Sequence, residues 1–140
     1  MTPRLLRAFQ ATRYAAGSAA ARIGRRCPAL DPLLGRGAGA FITAWNPWGR
    51  RMPPGWNRRA DRALQGHLRR LPRWPGAGQG RGWREEHWLV AVDLRRAAVL
   101  GRLFRQAAIV TLRRGQAARL VALPRRSRPP GPPWRLRPCF

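Results

Sequence analysis

The sequence predicts a single α/β domain with a mixed sheet of about six strands, short helices and a hairpin at each end. Three observations lead there. Apolar runs of strand length stand at 40–45, 87–92 and 107–112. The first two are each followed by an amphipathic stretch of helix length, and Gly- and Pro-rich punctuation separates the parts. At 140 residues and 44% hydrophobic, the chain is large enough for one ordinary core. Strand–helix–strand–helix–strand order between residues 40 and 112 implies right-handed crossovers and locally parallel strands.

Residues 1–10 read as a basic lead-in with one helical turn. Residues 11–16 and 19–24 read as a hairpin closed by Gly17 and Ser18, although propensity alone would make this Ala-rich stretch helical. Residues 28–34 suit a short helix ended by Gly35 and Gly37. In the central stretch Phe41, Ile42, Ala44 and Trp45 are apolar and Thr43 is the one polar side chain among them. Pro47 has no N–H and drives Asn46 out of αR geometry, so the strand ends there. Thr43 and Asn46 then sit at the carboxyl end of a central strand, where open α/β sheets place ligands.

Residues 48–56 are turn, and Asn57 suits the N-cap of a helix reaching about Leu71. Ala60, Leu64, His67, Leu68 and Leu71 recur at helical spacing, with Arg58, Arg59, Arg62, Arg69 and Arg70 largely off that stripe. Pro72 ends it, and residues 72–83 read as loop. Glu85 and Glu86 precede a second buried strand, 87–92. Asp93 caps a helix over 94–105 whose inner face is Ala97, Ala98, Leu100, Gly101 and Phe104. Residues 107–112 and 117–123 flank a turn as a hairpin. From 124 to 140 there are six prolines, five arginines and no acid, the composition of a disordered or polyproline-like tail. The organisation is a lead-in at 1–10, a domain over 11–123 and a tail from 124.

All 29 basic residues are Arg, against the five acids Asp31, Asp61, Glu85, Glu86 and Asp93, a formal charge of +24. A GC-rich coding sequence would favour Arg over Lys, but it does not exclude acids. A field of this size draws in polyanions whatever its origin. Cys27 and Cys139 lack metal-ligand spacing, and His67 and His87 are the only histidines, so neither a metal nor a cofactor is expected. No run approaches 18 apolar residues free of Arg, and the first residues lack the apolar core of a secretory signal. A reduced, cytoplasmic protein without a transmembrane segment is the plain expectation.

Several motifs occur in a distinctive order. They are Arg22-Ile23-Gly24, residues 28–34 (PALDPLL), residues 41–47 (FITAWNP), Asn57, Trp83 to Glu86 (WREE), and residues 104–110 (FRQAAIV). The chain resembles, over roughly residues 8–123, the bacterial domain-of-unknown-function family numbered 3293. The resemblance implies a small cytoplasmic α/β protein and supplies no reaction. It points to Thr43, Asn46, Asn57, Glu85 or Glu86, and Gln106 as the positions of interest. The chain departs from the family pattern at Trp48-Gly49, where a small residue is usual after Asn-Pro. It departs again at Arg105-Gln106-Ala107-Ala108, where Gly-Gln-Asn-Ala is usual.

Two groups of residues could carry chemistry. Thr43, Asn46, Asn57, Glu85, Glu86 and Gln106 all lie near strand ends or helix starts. They either converge on a small-molecule or enzymatic pocket with one carboxylate as general base, or serve as local turn and cap residues. The second group interleaves Arg50, Arg51, Arg58, Arg59, Arg73, Arg81 and Arg84 with Trp48, Trp56 and Trp74. These bind nucleic acid or another polyanion by guanidinium–phosphate contacts and base stacking, or they pack against one another. No nucleophile elbow, P-loop or dinucleotide fingerprint is present, so an enzyme is disfavoured. The glycine-rich run 76–82 precedes a strand and not a helix, and reads as a flexible loop more readily than a phosphate cradle. The leading reading is a polyanion-binding domain. The pocket at Thr43 and Asn46 comes second, and third is a protein-interaction module whose Pro/Arg tail engages an acidic or proline-binding protein partner of unknown identity.

Overall fold

A computed structural model describes residues 1–35 and 37–125. In chain order the elements are α1 (Pro3–Ala11), β1 (Arg13–Ala16), β2 (Ala19–Ala21), a 3-10 helix (Pro28–Leu33), β3 (Ala38–Ile42), a 3-10 turn (Pro47–Gly49), α2 (Pro54–Leu68), β4 (Arg73–Gly80), β5 (Trp83–Val90), α3 (Leu94–Leu103), β6 (Ala108–Arg113) and β7 (Arg119–Ala122). The single α/β domain, the hairpins at both ends and the Asp93 cap match the reading of the sequence; Asp93 Oδ1 accepts the Arg96 N–H at 2.8 Å.

The sheet has seven strands in the order β2-β1-β4-β5-β3-β6-β7, and every strand pair is antiparallel. The expected locally parallel pairing is therefore corrected. Its cause is β4, which occupies residues expected as loop. β4 and β5 form a hairpin around Arg81 and Gly82, so the chain returns antiparallel before α3 begins. The crossovers survive in split form. β3 and β4 run alongside one another with β5 between them, and β5 and β6 do so with β3 between them. Residues 38–113 thus make a β-α-β-β-α-β unit of the ferredoxin-like, split β-α-β kind. The β1–β2 hairpin extends one edge and β7 the other.

β4 escaped sequence reading because Pro and three glycines are strand-averse. β1 pairs with β4 only as far as Gly76, so Pro75 stands where β4 has no second strand to donate to. The glycines are dictated by what lies over them, as shown below. Two further boundaries shift: α1 is a nine-residue helix and not a single turn, and α2 starts at Pro54, which puts Asn57 inside its first turn and not at its cap. The tail, apart from Pro124 and Arg125, and Cys139 with it, lie outside the described residues.

Strand alternation gives the sheet two cores. On the helix face Ala40, Ile42, Val90 and Val92 pack with Ala60, Leu64 and Leu68 of α2 and with Ala97 and Leu100 of α3. On the inner face Tyr14, Ala16, Phe41, Leu89, Val110 and Leu112 pack with Leu30 and Leu34. The sheet curls around this inner face. Its two edges are clipped together by bridges from Ile23 to Ala118 and from Arg26 to Ala117. The 3-10 helix fills one end of the curl, and Leu5 and Phe9 of α1 lie over the other. No helix among the described residues is long and apolar enough to cross a membrane.

Candidate functional site

Under α1 the inner face lines a half-open cavity of about 190 Å³. Leu5, Ala8 and Phe9 line it from α1, Thr12 and Tyr14 from β1, and Phe41, Thr43 and Asn46 from β3 and the turn after it. Trp83, Glu85 and His87 line it from β5, and residues 106–110 complete it. The β5 contribution follows from period-2 alternation: Trp83, Glu85, His87 and Leu89 share one face, and Arg84, Glu86, Trp88 and Val90 the other.

The glycines of β4 make this face possible. Gly78 stands opposite Glu85, and a Cβ there would lie 2.6 Å from His87 Cε1. At Gly80 a Cβ would fall 2.1 Å from Trp83 Nε1. The two rings therefore lie down across β4, over bare backbone. The Gly78 N–H donates to His87 Nδ1 at 2.9 Å, which makes Nδ1 an acceptor and places the proton of the neutral ring on Nε2. The approach of Nδ1 to the Glu85 carbonyl, 3.0 Å, is then a close contact between two acceptors. Burial lowers the pKa of His87 to about 4, the nearby Glu85 carbonyl opposing it, so the imidazole is neutral at physiological pH.

Glu85 is half-buried, and burial raises its pKa while a hydrogen bond from Asn46 pulls it down. Asn46 Nδ2 donates to Glu85 Oε1 at 2.7 Å. Burial also pushes Tyr14 well above the usual phenol range, with the charge of Glu85 adding to the rise and a hydrogen bond to Thr12 opposing it. Tyr14, Gly78 and Glu85 occupy one register row across β1, β4 and β5.

Asn46 is held by its partners. Its backbone is left-handed, φ 48 and ψ 64, which Asn tolerates better than most residues. Its N–H donates to Asn57 Oδ1 at 3.1 Å, and its Oδ1 accepts from Asn57 Nδ2 at 3.1 Å and from the Met52 N–H at 2.9 Å. Asn57 is thus a buried strut that orients Asn46, not a helix cap and not a cavity wall. Thr43 Oγ1 donates to the Glu86 carbonyl at 2.7 Å and accepts the Trp45 N–H at 3.0 Å, so its hydroxyl ties β3 to β5. Gln106 Nε2 donates to the carbonyls of Trp45 at 3.1 Å and Phe104 at 3.2 Å. The Trp48 N–H bonds the Arg105 carbonyl at 2.8 Å. Trp48 and Arg105 have φ of 55 and 57, each costing about 1 kcal/mol for a residue with a Cβ.

The candidate pocket residues therefore divide. Thr43, Asn46, Glu85 and Gln106 meet at the cavity, with Asn57 behind Asn46. Glu86 is placed elsewhere: one residue on from Glu85, it points to the other face, is exposed, and pairs with Arg84 at 3.4 Å. The pocket read from the sequence left out Tyr14, His87, Trp83 and the α1 residues. The alternation from Trp83 to Leu89 was the available signal, hidden by starting the strand at His87. His67, expected on the apolar side of its helix, is buried there with its ring edge-on to Phe104 at 5.5 Å, and burial lowers its pKa.

Of the arginine–tryptophan group, Arg50, Arg51, Arg58, Arg59, Arg81 and Arg84 are exposed. Arg73 is half-buried, donates to the Leu68 carbonyl at 3.1 Å, and stacks 5.8 Å above Trp88. Trp56 packs on the helix-face core and Trp74 on the inner core, while Trp48 carries the Arg125 guanidinium 5.4 Å from its ring. Trp83 is the tryptophan most open to solvent among the described residues, 40% exposed at the cavity mouth. Among these residues no three His, Cys, Asp or Glu side chains gather as a metal site.

Residues 42–109 match the model of a family described as a protein of unknown function, DUF3293. The resemblance read from the motifs holds over that span, which runs from the end of β3 into β6 and so covers most of the β-α-β-β-α-β unit. No curated protein and no solved structure matches the chain.

Proposed function

We propose that this domain binds a small molecule in the cavity beneath α1, with Glu85 and His87 as the polar groups that meet it. One observation carries the reading: β1, β5 and the segment after β3 deliver Tyr14, Glu85, His87 and Asn46 to one space walled otherwise by apolar side chains. A largely apolar pocket with a few convergent polar groups and displaced pKa values is the usual form of a ligand site. Most of the remaining polar lining is spent on internal hydrogen bonds, which stiffens the site and leaves Glu85 and His87 for recognition. Filling the cavity tests this. Ala108 lies on its wall. Small-molecule hits found by ligand-observed NMR on the wild type should lose binding to a folded Ala108→Leu variant, and hits that bind both equally would overturn the reading.

The disposal of the acids favours a second reading, contact of the outer surface with nucleic acid or another polyanion. Asp61 accepts from Trp88 Nε1 at 2.9 Å and from Gln65 at 2.7 Å; Asp93 caps α3; Glu85 faces the cavity. The Arg84–Glu86 contact is the one ion pair among the described residues. The exposed guanidiniums of Arg50, Arg51, Arg58 and Arg59 are thus left to attract phosphate. Fluorescence anisotropy with single-stranded RNA and duplex DNA over a salt series should give steep salt dependence, flattened by the double change Arg58→Ala and Arg59→Ala. A flat salt response would remove this reading.

A further inference from the structure

We propose that the ligand of the cavity is a compact amine: an apolar body carrying an ammonium group, with Glu85 as its counter-ion. The inference rests on reading the cavity as a small-molecule site and adds the chemical class of the occupant.

Charge sorting is the first argument. The chain carries 29 arginines, yet none of those among the described residues lines the cavity. Glu85 is the only carboxyl group that lines it among the described residues, and His87 beside it is held neutral by burial and by the Gly78 N–H at Nδ1. An anionic ligand would find no guanidinium inside and would face a carboxylate. The second argument is the walls. Phe9, Tyr14, Phe41 and Trp83 bring aromatic rings to the space, and ring faces attract cations by their quadrupole, most strongly where water is excluded. The third is the state of the carboxyl group. One oxygen of Glu85 accepts from Asn46 at 2.7 Å, and the other has no protein partner among the described residues. A half-buried carboxylate without a cationic partner is penalised by desolvation, and an ammonium ligand would remove that penalty. The volume agrees. A cavity of about 150 Å³ admits benzene. This one, about 190 Å³, leaves room for a ring bearing a short aminomethyl arm.

Three probes of one shape and different charge test it: benzylamine, benzyl alcohol and benzoate, titrated calorimetrically into the full chain. Benzylamine should bind at least about tenfold more tightly than benzyl alcohol. Glu85→Gln, which keeps an acceptor for Asn46, should erase that preference and leave benzyl alcohol unchanged. Ala108→Leu should weaken both, while benzoate bound to surface arginines should be indifferent to it. Benzyl alcohol binding as well as benzylamine, or a Glu85→Gln variant that keeps the amine preference, would overturn the amine and leave the cavity reading standing. Benzoate binding tightest and lost in Ala108→Leu would overturn it the same way. No probe sensitive to Ala108→Leu would overturn the amine and count against the small-molecule reading as well.

Discussion

On the helix face of the sheet, Ile42 and Val90 disappear beneath Leu64, Leu68 and Leu100, each essentially without exposure. On the inner face, two residues further back along β5 from Leu89, the same strand presents His87 and Glu85 to a cavity. The helix face is covered by two helices, each with an apolar stripe that fills the space. The inner face is covered by its own curvature, with the 3-10 helix at one end and α1 at the other, and the space under α1 is left unfilled. Glu85 and Glu86 measure the difference. They are adjacent in the chain, yet one is a half-buried acid held by Asn46 and the other a solvated partner of Arg84.

Breaking the packed face should give the largest effect. Leu64→Ala removes a fully buried side chain between α2 and the sheet and should cost about 2–5 kcal/mol in urea unfolding. Gly78→Ala attacks the inner face by crowding. Its Cβ would press on His87 from 2.6 Å, so about 1–3 kcal/mol should be lost and the ring displaced, visible as a shift of the His87 imidazole resonances.

Titration sharpens the comparison at the next level. With its pKa lowered to about 4, folded His87 stays neutral while the unfolded imidazole takes up a proton below its ordinary value near 6.5. Its contribution is therefore whole above pH 6.5 and is lost as pH falls, by up to about 2 kcal/mol at pH 5. Glu85 has the opposite sign, because its raised pKa favours the protonated folded form and acid relieves its burial. The difference in unfolding free energy between wild type and His87→Asn, followed from pH 7.5 to 5, isolates the histidine. Equal slopes would mean that the ring reaches solvent.

The smallest effect belongs to the outer acid. Glu86→Gln should change stability by less than about 0.5 kcal/mol, since its pair with Arg84 is exposed. Glu85→Gln should be no less stable than wild type near pH 7 while losing the amine response.

Much of this molecule was legible as sequence. The apolar runs, the α2 and α3 stripes, the Asp93 cap and the terminal hairpins are local features, written by periodicity and capping chemistry within a few residues. So was the turn at Asn46-Pro47, because proline restricts its predecessor wherever it occurs. Thr43, Asn46, Glu85 and Gln106 could be singled out as polar residues at element ends.

Tertiary structure alone decided what the glycines of β4 are for. Their strand propensity is poor, and only their neighbours explain why side chains are absent: the rings of His87 and Trp83 lie over Gly78 and Gly80, and the Ala15 carbonyl of β1 crowds Gly76. Once β4 exists, the sheet becomes antiparallel, the strand containing Glu85 and Glu86 acquires its register, and alternation sends the two acids to opposite faces. The role of Asn57 was equally invisible, since its partner Asn46 lies eleven residues away across a turn. Periodicity reports which residues share a face. Which space that face encloses depends on contacts between segments far apart in the chain, and so the sequence marked several of the cavity's polar residues without marking the cavity itself.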